Sequence, residues 1–420
     1  MIDKLEKKIY KICENAKKAS FKLSNSSISE RNKALLLISN SILKNQKQIL
    51  EKNKLDVNFA KNKKISYNLI DRLLLSEDRI KSIAKDIKSI ARLPNPLNKV
   101  LNKIKRPNGL KIYKVSVPLG VIGVVFESRP NVASDVAALC IKSGNSAILK
   151  GGKEAKNTTE FLISLIKREL SKTKIPPDAI SSLKSYERAA TNILFKMDNM
   201  IDVLVPRGGK KLIESVRENS TIPVFSHLDG ICHTYIDKFA KKSMAIDVAF
   251  NAKMRRTSIC GATETILCHS DVAKTIMPDL INKLKKVKCV VKGDDKVRRY
   301  SSNIIKASKK DWETEYLNAT VSIKIVSNLQ KAISHINQYS SGHTDAIITE
   351  NYKNAAEFMK NVESAIVMHN TSTQFADGAE FGLGAEIGIS TGKLHARGPV
   401  SLEGLTTYKY LVKGKGQLRA

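Results

Sequence analysis

Cys260 lies in the segment Asn251-Ala-Lys-Met-Arg-Arg-Thr-Ser-Ile-Cys-Gly-Ala-Thr-Glu-Thr265, with Lys253, Arg255 and Arg256 upstream and Gly261 directly after it. The thiolate is the reactive form of cysteine, and cations held near the sulfur lower its pKa. A glycine next in the chain has no side chain to hinder a substrate carbonyl approaching the sulfur. The segment therefore reads as the setting of a nucleophile. The competing reading is a buried structural cysteine, because free Cys is among the most buried residue types. What separates the two is whether the rest of the chain builds a cleft around this thiol.

The apolar run Val121–Phe126 suits a strand buried on both faces. Asn131 or Ser134 can cap a following helix that stops at Gly144, and residues 146–150 read as a second strand. Together they make a right-handed βαβ unit, a fold in which ligands bind beyond the carboxyl ends of the strands. Two polar segments fall at those ends, Glu127-Ser-Arg-Pro-Asn131 and Lys150-Gly-Gly-Lys153. A further strand at 203–205 passes through Pro206, Arg207, Gly208 and Gly209 into a helix beginning near Lys210. Glycines at such a turn let a phosphate approach the free N–H groups of a helix N-terminus. The GxGxxG fingerprint is absent, so an ordinary Rossmann dehydrogenase is not supported.

His227-Leu-Asp-Gly-Ile-Cys-His233 has none of the common metal-ligand spacings and reads as a loop lining a cleft. Beyond Cys260 the pattern stays mixed α/β, through Ser340-Ser-Gly-His-Thr-Asp345 and the glycine-rich residues 375–388. Residues 1 to about 100 carry Leu35, Leu36, Leu37, Ile42 and Leu43 at helical spacing and read as scaffold helices. Pro107-Asn-Gly109 marks a hairpin within 106–117, and the β-prone run 405–412 is a partner strand for it.

The chain has 420 residues, room for two or three domains, and a formal net charge of +32. Its lysines are spread along the whole length and no nucleic-acid recognition module is present, so the positive field suits an acidic substrate or cofactor better than DNA or RNA. The six cysteines show no CxxC pair and no Cys/His zinc spacing, which argues against a disulfide scaffold and a structural metal. Neither a signal peptide nor an apolar run long enough to span a bilayer is found, so a cytoplasmic, reduced protein is expected.

Residues 117–131, ILKGGKEA, HLDGICHTYID, the Cys260 segment, SGHTDAIITEN and the stretch from Phe375 to Tyr410 together resemble the gamma-glutamyl phosphate reductases, a branch of the aldehyde dehydrogenase superfamily. The resemblance implies an aldehyde dehydrogenase-like α/β fold with two doubly wound domains and a small β flap. The cofactor domain would span 1–105 and 117–228, the catalytic domain 229–400, and the oligomerisation flap 106–116 and 401–420. It further implies NADPH-dependent reduction of L-glutamyl 5-phosphate to glutamate 5-semialdehyde in proline biosynthesis, a homodimer or homotetramer, and glutamate 5-kinase as a partner.

On that resemblance Cys260 displaces phosphate to form a thioester, which hydride then reduces. His227 stands where hydrolytic relatives carry a water-activating Glu. Lys150 matches the lysine on the adenosine ribose, and Lys153 replaces a Glu that favours NAD, so NADP is expected. Arg207, Gly208 and Gly209 complete the cofactor site, and Glu315 falls where a glutamate binds the nicotinamide ribose. Asn131 is the side-chain donor to the oxyanion, or Arg129 takes that place instead. Arg129, Arg255 and Arg256 are the candidates for the substrate's phosphate or α-carboxylate. Thr257-Ser-Ile-Cys-Gly261 departs from the family's common Arg-Pro-Gly-Val-Cys-Asn. The alternatives are an aldehyde dehydrogenase oxidising another small aldehyde and a basic nucleic-acid-binding protein.

Overall fold

Val121–Phe126 is buried along its whole length, as its unbroken apolar sequence requires, and it pairs in parallel with Ser146–Gly151 on one side and Val203–Arg207 on the other. With Ile180–Ser182 at one edge these strands form the parallel sheet of the first of two compact units in the computed structural model, which describes residues 2–419. Met1 and Ala420, the outermost residues of the expected domains, lie outside the described residues.

The helix after the first of these strands, Asn131–Ser143, follows Pro130 and carries no side-chain cap from Asn131 or Ser134. It ends as expected at Gly144, whose φ of 76° lies in the left-handed region that favours glycine. The N-terminal helices are scaffold in a specific sense. Ile2–Ser24 packs Ile9, Cys13 and Ala16 against Val121, Val125 and Ile148 of the sheet. From the helix Gln46–Asn62, the buried Asp56 accepts the backbone N–H groups of Asn157 at 3.0 Å and Thr158 at 2.8 Å. A carboxylate thus caps the helix Lys156–Leu170 from a distance in sequence where that helix supplies no side-chain cap of its own.

The same unit, Met1–Ser226 with Gly382–Gly388 and Val400–Ala420, contains an antiparallel sheet of Val100–Lys105, Lys111–Pro118 and Thr406–Lys413. The C-terminal strand is therefore the hairpin's partner. The sheet leaves Val100, Leu101, Tyr410 and Val412 exposed.

The second unit, His227–Phe381 with Ile389–Pro399, is built on a larger parallel sheet. At its centre lie Thr263–His269, Cys232–Ile236 and Thr344–Ile348, flanked by Thr320–Val326, Val290–Gly293 and Ile305–Lys306 on one side and Ile366–His369 on the other. Helices Lys242–Met254 and Ser270–Lys286 bury Ala249, Ile276 and Leu280 against one face. Helices Leu329–Tyr339 and Tyr352–Asn361 bury Ile333, Ile336 and Phe358 against the other. Among the described residues no helix is long and apolar enough to cross a membrane.

Candidate active site

Cys260 occupies a tight turn between the helix Lys242–Met254 and the strand Thr263–His269, closed by the Ala262 N–H donating to the Ile259 carbonyl at 3.0 Å. The turn is fixed from two sides. A Cβ on Gly230 would lie 2.3 Å from the Cys260 carbonyl oxygen and 2.7 Å from its Cα, so the loop before the strand Cys232–Ile236 rests directly on the cysteine and admits only glycine there. Opposite, the Thr373 hydroxyl donates to the Gly261 carbonyl at 2.7 Å and continues to Thr263 at 3.0 Å and Thr234 at 2.7 Å. Gln374 holds the end of the preceding helix by donating to the Ala252 carbonyl at 2.8 Å.

Two imidazoles meet the thiol. One atom each from His227, Cys260 and His343 all lie within 4.8 Å of one another, and the two rings stand edge to face with centroids 4.9 Å apart. His227 Nδ1 lies 2.8 Å from the Ile389 carbonyl, an acceptor, so this nitrogen carries the proton. His343 is fully buried, with Nδ1 2.9 Å from the Thr344 hydroxyl. Burial pushes the Cys260 thiol up, but the charges of His343 and His227 outweigh it and hold the thiol well below the ordinary cysteine value. Cys232 shows the opposite balance. It donates to the Cys260 carbonyl at 3.1 Å and approaches His343 Nδ1 at 3.7 Å, yet burial, reinforced by Asp345, drives its thiol well above the ordinary value. Burial likewise raises Cys13 and Cys268 to about 12 and Cys289 to about 11.

The cations that flank Cys260 in sequence are used differently from expectation. Lys253 points from its helix into the core and is buried in an ion pair with Glu264, while Arg255 and Arg256 are exposed. Arg255 lines a cavity of about 410 Å³ together with Asn251, Asn370, Ser372 and Phe375. The charge that lowers the Cys260 pKa comes from histidines remote in sequence. Glu315 is half-buried beside this group. Burial and the charge at Cys260 raise its carboxyl, and a hydrogen bond from the Gly230 N–H acts against them.

In the other unit, the strand ends carry a second polar cluster. Lys150 is half-buried, and burial lowers its ammonium pKa against the pull of Glu154 and Glu127. Glu127 accepts the Gly209 N–H at 2.9 Å, at the start of the helix Lys210–Asn219, where the sequence suggested a phosphate. Glu154 accepts the Ser128 N–H at 2.6 Å. Gly208 is half-buried against Glu127, Lys153 is exposed with its ammonium 6.0 Å over the Phe59 ring, and Arg207 has a buried Nε without a partner. Asn131 donates to Asp135 at 2.9 Å, while burial raises that carboxyl to about 7. Arg129 is half-buried in the loop just before this helix.

His343 and the packing role of Gly230 are absent from the sequence reading. Both stand in segments singled out there, HLDGICH and SGHTD, but nothing in linear spacing says that parallel pairing of Thr344–Ile348 with Cys232–Ile236 brings residues 227, 260 and 343 together.

A sequence model of the aldehyde dehydrogenase family matches residues 3–299. A gamma-glutamyl phosphate reductase from Rhodospirillum rubrum is 50% identical over 389 residues, which cover 93% of this chain and 91% of that protein. The crystal structure of a gamma-glutamyl phosphate reductase from Thermotoga maritima superposes with a TM-score of 0.95 at 38% identity, covering 98% of this chain and 100% of that one. An engineered glycolyl-CoA reductase with bound NADP+ shares the fold alone, with a TM-score of 0.69 at 16% identity over 96% of each chain. This chain belongs to the aldehyde dehydrogenase family of oxidoreductases, in its gamma-glutamyl phosphate reductase branch.

Proposed function

We propose that the chain reduces L-glutamyl 5-phosphate to L-glutamate 5-semialdehyde with release of phosphate, using NADPH, as the second step of proline biosynthesis. The observation that carries this reading is the thiol of Cys260 held ready as a thiolate by His343 and His227. An acyl phosphate arrives already activated. The Cys260 sulfur attacks its carbonyl carbon, the C–O bond to phosphate breaks, and a thioester remains on the sulfur.

A nicotinamide cofactor bound by the first unit would supply hydride to the thioester carbon. The protein must then donate a proton to the new oxyanion and take it back as the thiolate leaves. His227 suits this step, because its ring is half-buried and can exchange protons with solvent, whereas His343 is fully buried. The Cys260 N–H and Asn131 are the proposed oxyanion donors. An imidazole at 227 also leaves that position without a carboxylate to drive water onto the thioester.

The residues of the other unit fit a phosphorylated dinucleotide. Lys150 is an ammonium whose burial is offset only by carboxylates, and Arg207 has an unpartnered buried Nε. Glu127 on the Gly209 N–H occupies an anion position at a helix N-terminus, so it stands in for a phosphate oxygen there. Lys150, Lys153, Arg207, Gly208 and Gly209 would hold the adenosine and pyrophosphate end, and Glu315 the nicotinamide ribose. Arg129, Arg255 and Arg256 would meet the substrate's phosphate and α-carboxylate. The exposed apolar side chains of the small antiparallel sheet support a subunit contact in a homodimer or homotetramer, and glutamate 5-kinase is the proposed supplier of the acyl phosphate.

The test is phosphate-dependent NADP reduction with glutamate semialdehyde, comparing wild type with Cys260→Ser. Turnover that requires phosphate and vanishes in the variant supports the reading. Phosphate-independent oxidation of a small aldehyde to its acid would replace it with the hydrolytic alternative.

A further inference from the structure

Cys260, His227 and His343 present a thiol sulfur and two imidazole nitrogens within 4.8 Å of one another. In a tetrahedral zinc site, with Zn–S near ~2.3 Å and Zn–N near ~2.0 Å, ligand atoms stand roughly 3.3–3.6 Å apart, so small side-chain rotations close the set around an ion. The outer contacts are those of metal-binding histidines. His227 donates through Nδ1 to the Ile389 carbonyl, and His343 is held at Nδ1 by the Thr344 hydroxyl, which orients the Nε2 side of each ring. His343 Nε2 is a buried polar atom without a hydrogen-bond partner.

We propose that Cys260, His227 and His343 form a Cys-His-His site for a borderline-soft divalent cation, zinc foremost, and that an ion bound there occupies the nucleophile and reversibly switches the enzyme off. Thiolate with imidazole selects zinc or cobalt over magnesium and calcium, which prefer oxygen ligands. The fourth position is left to water, and no electron or bond changes hands beyond coordination. The inhibitory half rests on the reductase reading and the binding half does not.

The experiment is titration of the reduced, metal-free full-length protein with Co²⁺ alone, followed by its absorption. The expected result is a near-ultraviolet sulfur-to-cobalt charge-transfer band with intense visible bands of four-coordinate cobalt, saturating at one equivalent and bleached by Zn²⁺. Cys260→Ser should lose the charge-transfer band. His343→Gln and His227→Gln, each checked by its unfolding profile, should weaken Zn²⁺ binding by more than roughly 100-fold, beyond the loss typical of an outer contact. Should either variant fail to fold, the other carries the test. A wild type with no charge-transfer band overturns the proposal, as does a band that survives Cys260→Ser but disappears in Cys232→Ser. Inhibition by Zn²⁺ that chelator reverses supports the switching half. Binding without inhibition overturns that half and leaves the reductase reading to its own assay.

Discussion

The two parallel sheets put their polar side chains to opposite uses. In the first unit these groups gather at the strand ends and stay half-exposed: Glu127 on the Gly209 N–H, Glu154 on Ser128, and Lys150 in the field of both carboxylates. In the second unit they are fully buried, within the sheet or between it and a packed helix: His233 with Asp345, Thr234 with Thr263, and helix residue Lys253 with Glu264. Half-exposed carboxylates on backbone N–H groups can yield to another anion at small cost, because water takes up what they release. Buried partners cannot part without leaving a bare charge or an unsatisfied donor. One sheet end is thus suited to exchanging a ligand, and the other to holding one sulfur atom in a constant field.

Substitutions in the second unit should therefore be the costlier ones. Cys260→Ser removes the polarisable nucleophile, and NADP reduction should fall by on the order of 10⁴-fold or more with the unfolding midpoint unchanged. Activity within tenfold of wild type would move the chemistry elsewhere. Asp345→Ala should follow in size. Asp345 accepts the His233 N–H at 2.7 Å, His233 Nδ1 at 2.9 Å and the Ser340 hydroxyl at 2.8 Å, together with the Ser364 hydroxyl. Stranding these donors in the core should cost about 3–5 kcal/mol in urea unfolding, and a loss below about 1 kcal/mol would show that the buried network is dispensable.

Gly230→Ala tests the other restraint on the cysteine. Its Cβ would sit 2.3 Å from the Cys260 carbonyl oxygen, a backbone atom, so the turn itself must shift. A displacement near ~1 Å at a reacting group lowers kcat on the order of 10²-fold. Full activity in this variant would mean that the turn tolerates motion.

His343→Gln probes the field directly, through the pH dependence of thiol alkylation. A thiol whose pKa is lowered reacts at its full rate down to that pKa and loses reactivity only as pH falls through it. In wild type the alkylation rate should be level through neutrality and decline in acid. In His343→Gln the decline should begin at higher pH, with the rate at pH 7 lower by roughly tenfold. Superimposable profiles would remove His343 from the account.

The first unit's architecture was largely legible. Val121–Phe126 as a buried strand, the helix ending at Gly144, and the pairing of the C-terminal strand with the hairpin all follow from local apolar runs and turn residues. Cys260 stands out by its glycine and its basic neighbours, but those cations are not the charges that act on it. Lys253 lies on the core-facing side of its helix and is consumed by Glu264, while the charges that count arrive from residues 227 and 343. The pairing that brings residue 343 to the cysteine joins Thr344–Ile348 to Cys232–Ile236, strands about a hundred residues apart, so the register that builds this site leaves no local mark.

The smallest effect is expected in the first unit, and it tests the claim that this end exchanges anions. Lys153 is exposed, so its charge is screened by solvent and salt, unlike that of Lys150 at the half-buried strand end. Lys153→Glu places a carboxylate where a 2′-phosphate would approach, and it disturbs no buried partner. The ratio of kcat/KM for NADPH over NADH should drop by about tenfold at low ionic strength and by less as salt is added, with stability untouched. An unchanged ratio at low salt would detach Lys153 from cofactor choice and leave the burial of Lys150 and the unpartnered Arg207 Nε as the features of that end still calling for an anion.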